Sequence, residues 1–395
     1  MDAAELDALL TPEALRLLDD LPALQSTGEV ARAVSQLRAA GHSPDLVSAV
    51  VGQARLRVRA QAKFGPFAER MLFTRAGLEQ ATRLSIAARH AGRLRDAGIA
   101  SVADLGCGIG GDALGFAGLG LRVRAVDADP ITAALAAYNL APFGSDVTVA
   151  NARAEDTPLD GIDAVWLDPA RRTAGHTETE RVRASDYTPS LDWCFALAER
   201  LPVGIKLGPA FDRDLIPDDV EAQWISADGS TIECVLWSGR LARDGVRRAA
   251  LVTRGQEAVE LTAAADADDE PVRGLGAFLH EPAGAVIRAR LIGDVARSLD
   301  AGMLAPGIAY LTGDREATSP FAASFRVREV LPADVKALGS ALRARGVGTL
   351  EIKKRGVDVD PAVLRTKLKL RGDESATLIV TRVAGKRLAI LCDRI

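Results

Sequence analysis

Three short segments hold the residues best suited to chemistry: Asp104-Leu105-Gly106-Cys107-Gly108-Ile109-Gly110-Gly111, Asp127-Ala128-Asp129-Pro130 and Asp168-Pro169-Ala170-Arg171-Arg172. The first lies between a predicted strand and a predicted helix. Glycines in such a loop admit left-handed backbone and let a ligand approach the main chain at the carboxyl edge of a parallel sheet. Gly106, Gly108 and Gly111 satisfy the dinucleotide fingerprint, with Asp127 about 20 residues on, where a ribose-binding acid belongs.

Charge divides the cofactors that such a loop could take. A dinucleotide brings a pyrophosphate, which Asp104 would repel; S-adenosylmethionine brings an ammonium group and a sulfonium, which Asp104 would favour. The methyl donor is therefore the expected cofactor, S-adenosylhomocysteine its product, and a nicotinamide enzyme the disfavoured rival. Asp127 can accept both ribose hydroxyls, and Asp129-Pro130 can start the next helix. In the third segment Asp168 and Pro169 are the expected catalytic pair. The carboxylate would take or hold the acceptor's proton, and nearby carbonyls would bind its N–H. Arg171 and Arg172 could hold a substrate phosphate. Cys194 and Cys234 are candidate nucleophiles for carbon methylation, but each lies in an apolar run, which favours a buried structural role.

The elements that must position these loops follow from periodicity. Residues 1–90 read as helical: Thr11-Pro12-Glu13 and Ser43-Pro44-Asp45 each offer an N-cap hydroxyl, a proline at the first helical position and an acid in the first turn. Lys63–Phe67 breaks this pattern, and Leu72-Phe73-Thr74 precedes a helix expected to run to about Leu94. From Ile99, apolar runs alternate with helical stretches, which predicts an α/β domain over 91–260 with a seven-stranded, mostly parallel, Rossmann-like sheet. Its last two strands, Thr231–Trp237 and Arg248–Thr253, are expected to form an edge hairpin. The acidic, alanine-rich Ala263–Pro271 reads as a linker. A small α+β module over 273–395 follows, with a helix at 286–301.

The net charge of −4 conceals a polarity. Residues 320–395 carry 16 Lys and Arg against 8 Asp and Glu, a net of +8 that leaves −12 on the rest. A basic module on an acidic body points to a polyanionic partner. Lys353-Lys354-Arg355, Lys367 and Lys369 are its candidate phosphate contacts. Four cysteines and four histidines at scattered spacings predict neither disulfides nor a metal site. With no secretory signal and no long apolar run, a cytoplasmic protein without membrane contact is expected.

At the glycine loop, Asp127–Pro130 and Asp168–Arg172 the sequence resembles the class I S-adenosylmethionine-dependent methyltransferases. More narrowly it is similar to a bacterial group with a THUMP-like C-terminal domain, through Lys63-Phe64, Leu72-Phe73-Thr74, Glu79-Gln80-Ala81-Thr82, Asp186-Tyr187-Thr188-Pro189, Glu351–Gly356 and Arg365–Lys369. The glycine loop also resembles that of trimethylguanosine synthase. The resemblance implies a donor site of Asp104, Gly106, Gly108 and Asp127, with Phe64 to Thr74 closing over it; Phe73, Thr74, Gly110 and Ala128 are further candidate donor contacts, as are Arg153 and Ala154, where Arg153 takes the place of the acidic residue that often contacts adenine after the third strand. It further implies a structured RNA, tRNA or rRNA, as the substrate. Ala170 and Arg171 stand where amino-group methyltransferases carry a stacking aromatic. A small-molecule methyltransferase and an inactive binding protein of the same fold are the alternatives.

Overall fold

The computed structural model describes residues 1–171 and 186–395. The chain divides into two compact units, Met1–Leu207 with Leu236–Ala242, and Gly208–Val235 with Arg243–Ile395.

The first unit opens with helices α1 (Ala3–Leu9), α2 (Pro12–Asp20), α3 (Thr27–Ala39) and α4 (Pro44–Phe64). Their starts are written in the sequence: Thr11 and Ser43 cap α2 and α4 with proline at the first turn, and Ser26 with Glu29 forms a capping box on α3. The helix expected after Thr74 is two, α5 (Arg75–Gln80) and α6 (Leu84–Asp96), separated by Ala81-Thr82-Arg83. Alternating strands and helices follow: β1 (Ser101–Leu105), α7 (Gly111–Gly118), β2 (Arg122–Asp127), α8 (Pro130–Leu140), β3 (Val147–Asn151), β4 (Ala164–Leu167), the two-residue β5 (Ala170–Arg171) and β6 (Tyr187–Thr188), α9 (Leu191–Ala198) and β7 (Val203–Leu207). The pairs β1–β2, β1–β4, β2–β3 and β4–β7 are all parallel. β1, β4 and β7 are buried along their whole length, as a sheet covered on both faces requires.

The second unit begins with β8 (Glu221–Ala227), β9 (Ser230–Trp237), β10 (Arg248–Arg254) and β11 (Glu257–Ala263). The strand order is β11-β10-β8-β9-β7-β4-β1-β2-β3, mostly parallel as expected but nine strands rather than seven. The expected edge hairpin of Thr231–Trp237 with Arg248–Thr253 does not form. β9 instead follows β8 through Asp228-Gly229, both in the left-handed region that a two-residue hairpin turn demands. β10 pairs parallel with β8 and antiparallel with β11. β8 escapes a pattern reading because it is buried throughout yet carries Glu221 and Gln223; Arg243 compensates the former at 2.6 Å.

The rest of the unit holds β12 (Phe278–Pro282), α10 (Gly284–Arg288), α11 (Ile292–Leu299), β13 (Gly302–Ala305), β14 (Ile308–Gly313), β15 (Ala322–Leu331), α12 (Val335–Ala344), β16 (Val347–Lys354), α13 (Pro361–Leu368), β17 (Glu374–Val383) and β18 (Lys386–Arg394). The single helix expected at 286–301 is broken into two, with Arg290 at φ 59° between them. The seven strands run β13-β14-β12-β15-β18-β17-β16. Leu338, Leu342, Leu364 and Leu368 from α12 and α13 form a core with Val347, Leu350, Leu378 and Leu391 of the sheet. Among the described residues no helix is long and apolar enough to cross a membrane.

Candidate active site

The parallel strands β1, β2 and β4 deliver the three sequence segments to one edge of the sheet. Gly106, Gly108 and Gly110 all adopt positive φ, at 90°, 56° and 89°. The turn is closed by the N–H groups of Gly106 and Cys107 donating to the Val126 carbonyl at 2.9 and 3.0 Å. Gly106 is required twice over, since a Cβ there would also lie 3.0 Å from the Asp168 carbonyl oxygen. That distance measures how closely the third segment approaches the first.

Asp104, at the end of β1, is 1% exposed, and neither carboxylate oxygen has a hydrogen-bond partner among the described residues. Burial pushes its carboxyl well above the usual range; Asp112, Asp168 and Asp127 add to this and Lys206 opposes it. A buried acid without a hydrogen-bond partner is costly by itself and gains most from a ligand that brings a cationic donor. An ammonium group meets that need, and a pyrophosphate does not.

Asp127 ends β2 with both oxygens engaged by main chain: Gly108 N–H donates to Oδ2 at 3.0 Å and Asp129 N–H to Oδ1 at 2.9 Å. Burial raises its carboxyl and these two donors counter the shift. The helix cap is Asp129, which accepts from Thr132 N–H at 2.8 Å, so Asp127 is not consumed by capping α8. Ala128 is exposed beside it. Arg153 lies just past β3, but its guanidinium pairs with Glu155 and Asp156 of its own segment, with Ala154 half-buried between.

Segment 72–74 is fixed by two polar side chains that sequence reasoning missed. Gln53 of α4 pairs with Phe73 in both directions, accepting its N–H and donating to its carbonyl at 3.0 and 2.7 Å. Asn139 of α8 does the same for Leu72 and also donates to the Ile109 carbonyl of the glycine loop at 2.9 Å. The Phe73 ring itself is buried against Phe64. Thr74 caps α5, and a Cβ on Gly77 in that helix would fall 2.6 Å from Ile109, so the capped turn borders the glycine loop directly.

A second missed group lies under the loop. Asp112, in the first turn of α7, accepts from Thr82 Oγ1 at 2.7 Å and lies 2.8 Å from His90 Nδ1 and 3.2 Å from Lys206 Nζ. Burial alone would raise its carboxyl; Lys206, His90 and Thr82 overcome this and hold it well below the usual range. The Lys206 ammonium also lies 2.6 Å from Asp168 Oδ2. The available signal was polarity out of place. Gln53, His90, Asn139 and Lys206 each stand on a buried face or in an apolar strand, where an unpaired polar group would be costly.

Asp168 is half-buried and Pro169 buried. Arg171 contributes backbone to β5, and Arg172 lies outside the described residues. All four cysteines are buried. Burial pushes the Cys194 thiol up to about 12 and that of Cys234 higher still, so neither candidate nucleophile is available as a thiolate. In the basic module, Lys353 pairs with Glu281 at 2.7 Å and Arg355 lies 3.9 Å from the same carboxylate. Lys354, Lys367 and Lys369 are exposed.

Comparisons with known proteins bear on the family and the fold. Residues 322–394 match the family described as THUMP domain-like, and residues 2–60 match a domain of unknown function. An uncharacterized S-adenosylmethionine-dependent methyltransferase of Mycobacterium tuberculosis strain CDC 1551 is 34% identical over 346 residues, 85% of this chain and 92% of that protein, and its counterpart in strain H37Rv matches equally. A crystal structure from Porphyromonas gingivalis W83, assigned as a methyltransferase, superposes with a TM-score of 0.75 at 21% identity, covering 97% of this chain and 98% of that one, and supports the fold. A relative this similar over nearly its whole length establishes that the chain belongs to the S-adenosylmethionine-dependent methyltransferases.

Proposed function

We propose that the protein methylates a base of a structured RNA, tRNA or rRNA. The carrying observation is the close approach of the Asp168-Pro169 loop to Gly106 beside a buried carboxylate with no hydrogen-bond partner among the described residues. When bound, the donor supplies a methyl group on a sulfonium, electrophilic toward a lone pair. The residues present fit it. Asp104 would hold its ammonium group, the main chain of Gly106, Gly108 and Gly110 would line its approach, and Asp127, oriented by two N–H donors, would accept the ribose hydroxyls. Phe73 and Thr74 would close one side through their main chain, and Ala128, Arg153 and Ala154 would border the adenine.

Asp168 then has the acceptor's work. Its carboxylate accepts a hydrogen bond from the nucleophilic N–H or O–H, orients the lone pair and takes the proton released as the new bond forms. With no accessible cysteine among the described residues, the reading favours a nitrogen or oxygen acceptor over a carbon that needs covalent activation. Docking falls to the basic module. Lys353 and Arg355 are partly neutralised by Glu281, which leaves Lys354, Lys367 and Lys369 as the main phosphate contacts.

Removing residues from 320 onward would take β15 to β18 out of a seven-stranded sheet, so point variants are the better test. Replacing Lys354, Lys367 and Lys369 together with Glu is expected to weaken binding to total tRNA by at least about tenfold and to flatten its salt dependence, since each lost phosphate contact lowers that slope by roughly one. Binding of S-adenosylhomocysteine should be unchanged. Unaltered RNA affinity in the triple variant contradicts the docking role.

A further inference from the structure

Lys206 is a cation in an otherwise apolar strand, and its place follows from register. Along the parallel pairing of β4 with β7, Val165 lies beside Val203, Trp166 beside Gly204 and Leu167 beside Ile205, so Asp168 and Lys206 come level at the carboxyl end of the sheet. Gly204 makes room for the Trp166 ring, from which a Cβ would be only 2.6 Å away. Trp166 in turn stacks on His90 with ring centroids 4.5 Å apart, and His90 reaches Asp112. The Lys206 ammonium is thus caught between a fixed carboxylate, Asp112 at 3.2 Å, and a fixed hydroxyl, Thr82 at 2.8 Å. Asp168 Oδ2 lies 2.6 Å from the same ammonium.

We propose that Lys206 is a positioning residue, holding the Asp168 carboxylate at the end of β4 against the glycine loop, and is itself fixed by Thr82 and Asp112. The proposal rests on reading Asp168 as the group that meets the methyl acceptor. The Asp168 side chain is 39% exposed, and its 2.6 Å contact with the Lys206 ammonium restricts the rotamers that a carboxylate at the end of a strand can sample. A pinned ammonium sets that restriction before the substrate arrives. Lysine serves because its compact charge can touch three acceptors from different directions, where a planar guanidinium would need a coplanar pair. Asp112 sets a buried carboxylate 3.2 Å from the Lys206 ammonium, on the side away from solvent, as its counter-charge.

The test compares wild type, Lys206→Met, Lys206→Arg and Thr82→Val, the last retaining every charge while loosening the lysine. Transfer of labelled methyl from S-adenosylmethionine to total bacterial RNA is measured alongside calorimetric affinity for S-adenosylhomocysteine. Lys206→Met is expected to lose about 100-fold in kcat, the scale of an ångström-sized misplacement, with KM for RNA and product affinity within threefold of wild type. Thr82→Val should fall in between, and Lys206→Arg should recover part of the rate. Near-normal kcat in both Lys206→Met and Thr82→Val overturns the proposal, as does loss of product binding in parallel with rate in Thr82→Val. If the wild type itself transfers no methyl to RNA, the RNA reading has failed separately. The position of the Asp168 side chain in a crystal structure of Thr82→Val then decides, displacement supporting the proposal and an unmoved carboxylate overturning it.

Discussion

Replacing Asp112 with Ala is expected to destabilise the protein by about 3–5 kcal/mol, the cost of stranding buried partners of a charge. Asp112 is 5% exposed and engages Thr82, His90 and Lys206 from α7, so its removal leaves an ammonium, a hydroxyl and an imidazole facing a void. Asp112→Asn keeps the shape and part of the hydrogen bonding, and should cost less. Urea unfolding followed by circular dichroism measures both. The same group sets an acid limit on the wild type. Its carboxyl titrates lower in the folded chain than in the unfolded one, so the unfolded chain binds more protons in the window between the two values. The stability it contributes is therefore fully present above an ordinary carboxyl value of about 4 and is lost as the pH falls below that. Asp112→Ala should lack this component of the acid slope. A loss under about 1 kcal/mol in Asp112→Ala would show that the network tolerates the charge without depending on it.

The second large effect concerns the donor. Asp127→Ala is expected to weaken binding of S-adenosylhomocysteine by about 1–3 kcal/mol, or roughly 5- to 150-fold, because two ribose hydroxyls would lose a charged acceptor inside a closed site. Some of that loss is indirect. The carboxylate also receives the N–H groups of Gly108 and Asp129, so its removal loosens the glycine loop and the start of α8. Asp127→Asn separates the two contributions, since its amide oxygen can still accept from one N–H while the charge is gone. Calorimetric titration of both variants measures this, and an affinity equal to wild type in Asp127→Ala contradicts the ribose assignment.

The parts of the fold legible in the sequence are those whose local signals stand alone. Thr11-Pro12 and Ser43-Pro44 mark helix starts without help from tertiary structure, and the structure caps α2 and α4 with those hydroxyls. The glycine loop was legible because the positive φ of Gly106, Gly108 and Gly110 admits few other residues. Strand β8 was not legible, because Glu221 and Gln223 look solvent-facing until Arg243 and Glu260, distant in sequence, are brought to them. Lys206 was hidden for the same reason: its partners Thr82, Asp112 and Asp168 converge only once β4 and β7 pair. Charge counting also overstated the basic module. Arg328, Arg345 and Arg394 pair with Asp393, Glu329 and Glu351, acids already counted in the net of +8, but Arg326 and Lys353 pair with Glu316 and Glu281 from outside residues 320–395, which reduces the surplus of outward-facing cations further.

The glycine loop, with Asp104 behind it, is expected to take S-adenosylmethionine and not a dinucleotide. Calorimetric titration of the full chain with S-adenosylmethionine, S-adenosylhomocysteine and NADH tests it most directly. One site per chain for the first two ligands and no heat with NADH is the expected result; binding of NADH, or of none of the three, would contradict the account.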